Sequence, residues 1–271
     1  MFLNSVILIL QEILEAALLV SVLLVLSKHH GIKPIWLLPA IIIGVTGALI
    51  FAINMAQISE WFDYVGQEVM NAFMQLAILF FLSFLTALHP KNRWVSIFML
   101  ITTSLALTRE GSEIFIYIGG VIGQAPYIQS THIQPTLTGA GIGAGIGVSV
   151  GVLIYYGLLG LSSRYIVASS VLLLALVGGN MASQATLLLT QADWLPYSQI
   201  LWNSSALLPE NSIFGHLLYA LVGYEATPSL FQVISYVCGI LLVYLCWCFN
   251  LSRIDHQAKY KSPDINVHIN I

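Results

Sequence analysis

Charge is scarce in this chain. Its 271 residues include 9 Lys and Arg and 12 Asp and Glu, 8% of the total, about a third of what a soluble domain carries. That shortage excludes a water-covered globule. With 58% hydrophobic residues and a mean hydropathy of +0.88, it leaves an integral membrane protein. The formal net charge of −3 and the lack of any basic run remove nucleic acid as a partner. Cysteine is sparse as well. Cys238, Cys246 and Cys248 all fall in the last apolar run, in no zinc or haem spacing, and read as small apolar packing residues. No H-E-x-x-H motif and no Ser and His pair within the apolar runs offers hydrolytic chemistry, so no enzyme is expected.

What is abundant is long apolar sequence. A helix needs about 20 mainly apolar residues to cross a bilayer, and seven runs of that length occur, at 5–26, 35–56, 68–88, 95–119, 137–160, 165–190 and 230–249. The spacing predicts an all-α integral membrane fold with seven transmembrane helices. The first run lacks a basic leader, is too long for a signal peptide and contains Glu12 and Glu15, so it is expected to stay in the mature protein. Lys28, Lys33, Lys91, Arg93, Arg164, Arg253, Lys259 and Lys261 all fall on one side of this topology. The alternate connections, 57–67, 120–136 and 191–229, carry Glu60, Asp63, Asp193, Glu210 and Glu225 but no Lys or Arg. Basic loops stay in the cytoplasm, which places the N-terminus outside and the C-terminus inside. The connection 191–229 is expected to hold a re-entrant or interfacial helix. Residues 1–250 then form one transmembrane domain, and 251–271 a cytoplasmic polar tail.

One basic residue breaks the rule. Arg109 lies inside the fourth run, in "REGSE" at 109–113, and the first run carries "QEILEAALLV" at 11–20. Both hold the frame E-x-x-E, as Glu12 with Glu15 and Glu110 with Glu113. The first run threads inward and the fourth outward, the arrangement of a 3+3 inverted repeat, about 1–90 and 91–190, with the seventh span added. The third and sixth runs agree, with Asn71 and Gln75 in one and Asn180 and Gln184 in the other at the same spacing. Residues three or four apart share a helix face, so four carboxylates can converge where the repeats meet.

Keeping them there is costly. A charged residue at mid-bilayer costs about 2.5–3.5 kcal/mol, and Arg109 is expected to neutralise one carboxylate, Glu113 one turn along. The remaining glutamates then either take up protons or share a bound cation. Both outcomes describe a transporter. The alternatives are a static salt-bridge network, a membrane subunit that binds or senses metal without moving it, and a proton-coupled carrier of another cation. Oxygen-only ligation favours a hard cation, and the Glu-x-x-His of di-iron bundles is absent. Beside the cluster, "GAGIGAGIGVSVG" spaces Gly139, Gly143, Gly147 and Gly151 by four, as a close helix contact requires. His29, His30 and His89 read as solvated loop residues, and His216 as structural.

These residues resemble the high-affinity iron permease family, oxidase-dependent iron and lead transporters marked by paired R-E-x-x-E motifs in the first and fourth spans. "REGSE" matches in full. In the first motif Gln11 and Ile13 replace the family's Arg and Gly, and in the third span Glu68 is kept while Asn71 and Ala72 replace a second Glu and a Gly. The segment from "LWNSSALLPENSIFGHLLYALVGYEATPSLFQVISYV" is similar to the family's last loop and final span, so the likeness covers about 1–250. The resemblance implies iron import across the plasma membrane, here a bacterial inner membrane. It implies Glu12, Glu15, Glu110, Glu113 and Glu68 as metal ligands, with Arg109 in support; Gln11, Asn71, Gln75, Asn180 and Gln184 are read from the sequence itself as residues that support the site and line the path. Iron is then the transported substrate, no cofactor is permanently bound, and an extracytoplasmic iron oxidase or peroxidase is the implied partner.

Overall fold

The computed structural model describes residues 2–90, 92–123, 133–210 and 212–260, with side chains up to 252. Lys91, Lys261 and most of the connection 120–136, on which the expected orientation partly rests, lie outside the described residues. So does the last stretch of the expected tail.

Seven long helices dominate. They are α1 (Phe2–His29), α2 (Leu37–Ile53), α5 (Gly66–Ala87), α6 (Trp94–Gly123), α7 (Ile133–Leu159), α8 (Ser163–Gln191) and α10 (Leu230–Tyr260). Short helices α3 (Met55–Ser59), α4 (Trp61–Tyr64) and α9 (Ile213–Val222) lie in the connections. Among the described residues there is no strand, only an isolated bridge between Ile200 and Ser229. Six of the long helices are apolar and long enough to cross a membrane. The other, α6, spans 30 residues, about 45 Å at 1.5 Å per residue, but carries Arg109, Glu110 and Glu113. Large apolar side chains such as Ile42, Leu153 and Leu245 face outward, as they do where lipid is the solvent.

Several boundaries differ from the sequence expectation. The last helix continues through the polar residues to Tyr260, so the segment from 251 begins as helix. Between α2 and α5 the backbone of Phe62, Asp63 and Tyr64 turns left-handed, with φ of 55, 63 and 70°, and reverses the chain within a few residues. In the connection 191–229, α9 has only ten residues, capped by Ser212 Oγ accepting from Gly215 N at one end and by left-handed Gly223 at the other. At about 15 Å it is too short to cross a bilayer. The three cysteines are free, and Cys238 is exposed rather than packed.

Packing follows small residues. On α7, a Cβ at Gly139 would lie 2.6 Å from the Phe2 carbonyl oxygen, one at Gly143 would collide with the Val6 carbonyl, and one at Gly147 would lie 2.7 Å from Ile13. The glycine stripe is therefore the seam between α7 and α1, clasped by Ser21 Oγ donating to Gly151 O at 2.8 Å. An equivalent seam joins α2 to α6, where a Cβ at Gly44 would meet Leu107 at 2.5 Å and Thr108 Oγ1 donates to Gly44 O at 3.3 Å. α1 packs on α8 as α6 packs on α5, while α1 meets α6 and α5 meets α8 directly. Exchanging the first three long helices for the next three leaves this pattern of neighbours unchanged. α10 stands outside it, against α8 and α5, held by Asn250 Nδ2 donating to the carbonyls of Thr86 and Leu88.

The apolar core, with Leu19, Val22, Leu23, Leu82, Met99 and Leu174 wholly or almost wholly buried, fills one end of the bundle. Along α1 it begins just beyond Glu15.

Candidate metal-transport site

The E-x-x-E spacing places both members of each pair on one helix face, and the contact of α1 with α6 turns the two faces toward each other. Glu12, Glu15 and Glu110 are 5, 6 and 2% exposed, while Glu113 is only partly covered. Arg109, 6% exposed, sits among them. Its Nη1 lies 2.6 Å from Glu110 Oε1 and 3.2 Å from Glu15 Oε2, and its Nη2 lies 3.2 Å from Glu113 Oε1. The sequence reading paired Arg109 with Glu113 alone. The structure joins it to three carboxylates, one of them on the opposite helix, because a planar guanidinium offers donors along more than one edge.

Glu12 has no ion pair with Arg109, but it lies within reach of the charges of Glu113, Glu110 and Glu15. Oε2 of Glu12 and Oε2 of Glu110 are buried and lack a hydrogen-bond partner among the described residues. One guanidinium against four carboxylates leaves three negative charges if all are ionised. In a low-dielectric interior such an excess demands protons or a cation. The Glu12 and Glu110 side chains lie within hydrogen-bonding reach of each other, so a proton or a cation there would be shared between them. Among the described residues no three His, Cys, Asp or Glu side chains are grouped to hold a metal ion, and the carboxylates converge on Arg109 instead.

The supporting residues divide. Gln75 on α5 donates through Nε2 to Gln184 Oε1 on α8 at 2.6 Å, so the amides of these two helices meet directly. Asn71 and Asn180, each 5% exposed, lie one turn away. Gln11 pairs through Oε1 with His216 Nδ1 on α9 at 3.1 Å. Glu68, partly exposed in the first turn of α5, makes no ion pair with Arg109.

Of α9 and its flanks, the sequence marks His216 as a structural residue and Glu210 and Glu225 as loop acids, and places none of them beside the glutamate cluster. A cavity of about 400 Å³ is lined by Gln11, His216, Tyr219, Glu210 and Glu225 among others, and Tyr219 is close enough to Glu15, Arg109 and Glu12 to feel their charges. Burial, aided by Glu210, pushes the Glu225 carboxyl up to about 7 even though Gln232 donates to it. Only its place in a basic-free loop marked Glu225 beforehand.

The chain matches the model of the Iron permease FTR1 family over residues 85–252. It is 28% identical over 151 residues to the Ferrous iron permease EfeU of Shigella flexneri serotype 5b (strain 8401), covering 55% of this chain and 60% of that protein. The Ferrous iron permeases EfeU of Shigella sonnei (strain Ss046) and Escherichia coli O157:H7 are 27% identical over 151 residues, 55% of this chain and 51% of theirs. The chain thus spans about half to three-fifths of the length of the curated relatives it matches. No solved structure matches it.

Proposed function

This chain belongs to the Iron permease FTR1 family, and from that premise we propose that it imports iron through the glutamate cluster between α1 and α6. Family membership and six apolar helices make it a multi-pass plasma-membrane protein of iron transport. In the proposed arrangement α6 is a seventh span, the chain is a 3+3 inverted repeat plus α10, the N-terminus lies outside and the membrane is a bacterial inner membrane. The exchange pattern of helix neighbours supports the repeat, and the relatives, ferrous iron permeases, favour Fe2+ as the substrate.

One observation carries the reading. Four buried or half-buried carboxylates surround one guanidinium, and two of their oxygens lack any fixed donor. Glu12 and Glu110 would receive the dehydrating ion, Glu15 and Glu113 would complete its oxygen shell, and Arg109 would hold the carboxylates in place until it arrives. Transport requires the apolar packing beyond Glu15 to open, as alternating access does. An extracytoplasmic oxidase or peroxidase is the proposed partner at the outer face.

Radioiron uptake by the purified protein in liposomes tests this. Glu12→Ala and Glu110→Ala should abolish uptake, and undiminished uptake in both would remove the assignment. Binding of iron without flux would instead mark a metal-holding subunit. Inhibition by organic amines rather than by metals would mark a proton-coupled carrier.

A further inference from the structure

The amides between α5 and α8 are buried and only partly satisfied. Gln75, Gln184, Asn71 and Asn180 are 0, 2, 5 and 5% exposed, and the single Gln75–Gln184 hydrogen bond satisfies only part of them. Oε1 of Gln75, Oδ1 of Asn71 and Nε2 of Gln184 are buried without a partner among the described residues. A leucine at each position would fill the space with no such penalty, so packing does not account for them. Gln75 and Asn71 stand a helical turn apart on α5 and offer two carbonyl oxygens with free lone pairs.

Such oxygens are ligands for a hard cation. They differ from the glutamates in carrying no charge. An ion held by several carboxylates binds tightly and leaves slowly, whereas passage needs neighbouring sites weak enough to release it. The helices that bear the amides flank those that bear the glutamates, since α5 packs on α6 and α8 on α1. We propose that Asn71 and Gln75, facing Gln184 across the junction of the two halves, form an uncharged subsite that accepts the partly hydrated cation from the glutamate cluster. This rests on the reading that the glutamates carry the ion.

The experiment uses the full chain. Fe2+ uptake into liposomes is measured anaerobically with ascorbate, and bound Mn2+ is counted by electron paramagnetic resonance on protein in detergent. Asn71→Leu and Gln75→Met should slow Fe2+ uptake about tenfold, the equivalent of one lost ligand contact, and leave the Mn2+ bound at the glutamates unchanged. Gln75→Glu, which turns the weak station into an anionic one, should bind one further Mn2+ per chain. A purely structural role for the amides predicts no such gain. Wild-type uptake in both Asn71→Leu and Gln75→Met, or no additional Mn2+ in Gln75→Glu, overturns the proposal, and the Mn2+ count decides even if an uptake variant folds poorly. Normal uptake in Glu12→Ala would instead bring down the glutamate reading itself.

Discussion

Arg109 on α6 reaches Glu15 on α1, 94 residues earlier in the chain, at 3.2 Å. Both side chains are buried, so this contact ties the two motif-bearing helices through charge in the protein interior. Removing one partner of such a pair strands the other, at a cost of about 3–5 kcal/mol. Arg109→Gln should therefore lower stability by that order in a denaturation series in detergent. Arg109→Lys should recover part of it, because an ammonium cannot span Glu15, Glu110 and Glu113 as the planar fork does.

Glu12 is the opposite case. It is buried, lacks an ion pair with Arg109 and leaves Oε2 unpartnered, so in the resting protein it costs stability. Glu12→Gln should raise stability by at least about 1 kcal/mol while iron uptake is lost. A fall in stability with uptake intact would show that the carboxylate serves the fold.

The α1–α7 seam makes a geometric prediction. A side chain at Gly143 would collide with the Val6 carbonyl, whereas one at Gly141 meets nothing within 4 Å. Gly143→Val should cost about 1–3 kcal/mol or prevent folding, and Gly141→Val should behave as wild type, both read by thermal unfolding in detergent.

Glu225, in the connection before α10, has its carboxyl raised from the ordinary 4.5 to about 7. The folded protein therefore holds a proton that the unfolded chain has released between those values. That contribution is complete below about pH 4.5 and is lost as pH rises through 7. Stability measured across this window should decline toward neutral pH, and Glu225→Gln should flatten the decline.

Much of the architecture was legible in the apolar runs, because a membrane helix must be long and almost free of charge. The E-x-x-E frame showed that each glutamate pair shares a face, and the four-residue glycine spacing showed a tight seam. Periodicity fixes a face but not the helix opposite it. The link from Arg109 to Glu15 and the pairing of Gln11 with His216 depend on how distant segments pack, which no local pattern records. The helical stretch to Tyr260 was missed because hydropathy sees only the lipid-soluble part of a helix. The reversal at Phe62–Tyr64 was missed because nothing local marks these bulky residues as left-handed.

The two glycine seams also limit how the molecule can move. α1 is fastened to α7 and α2 to α6 where glycines bring the helices into close contact, so each couple takes one helix from the first three long helices and one from the next three. Any rocking that admits or releases an ion must carry these interleaved couples as rigid struts. The hinge then falls in the remaining joints, between α1 and α6 and between α5 and α8, rather than within either couple.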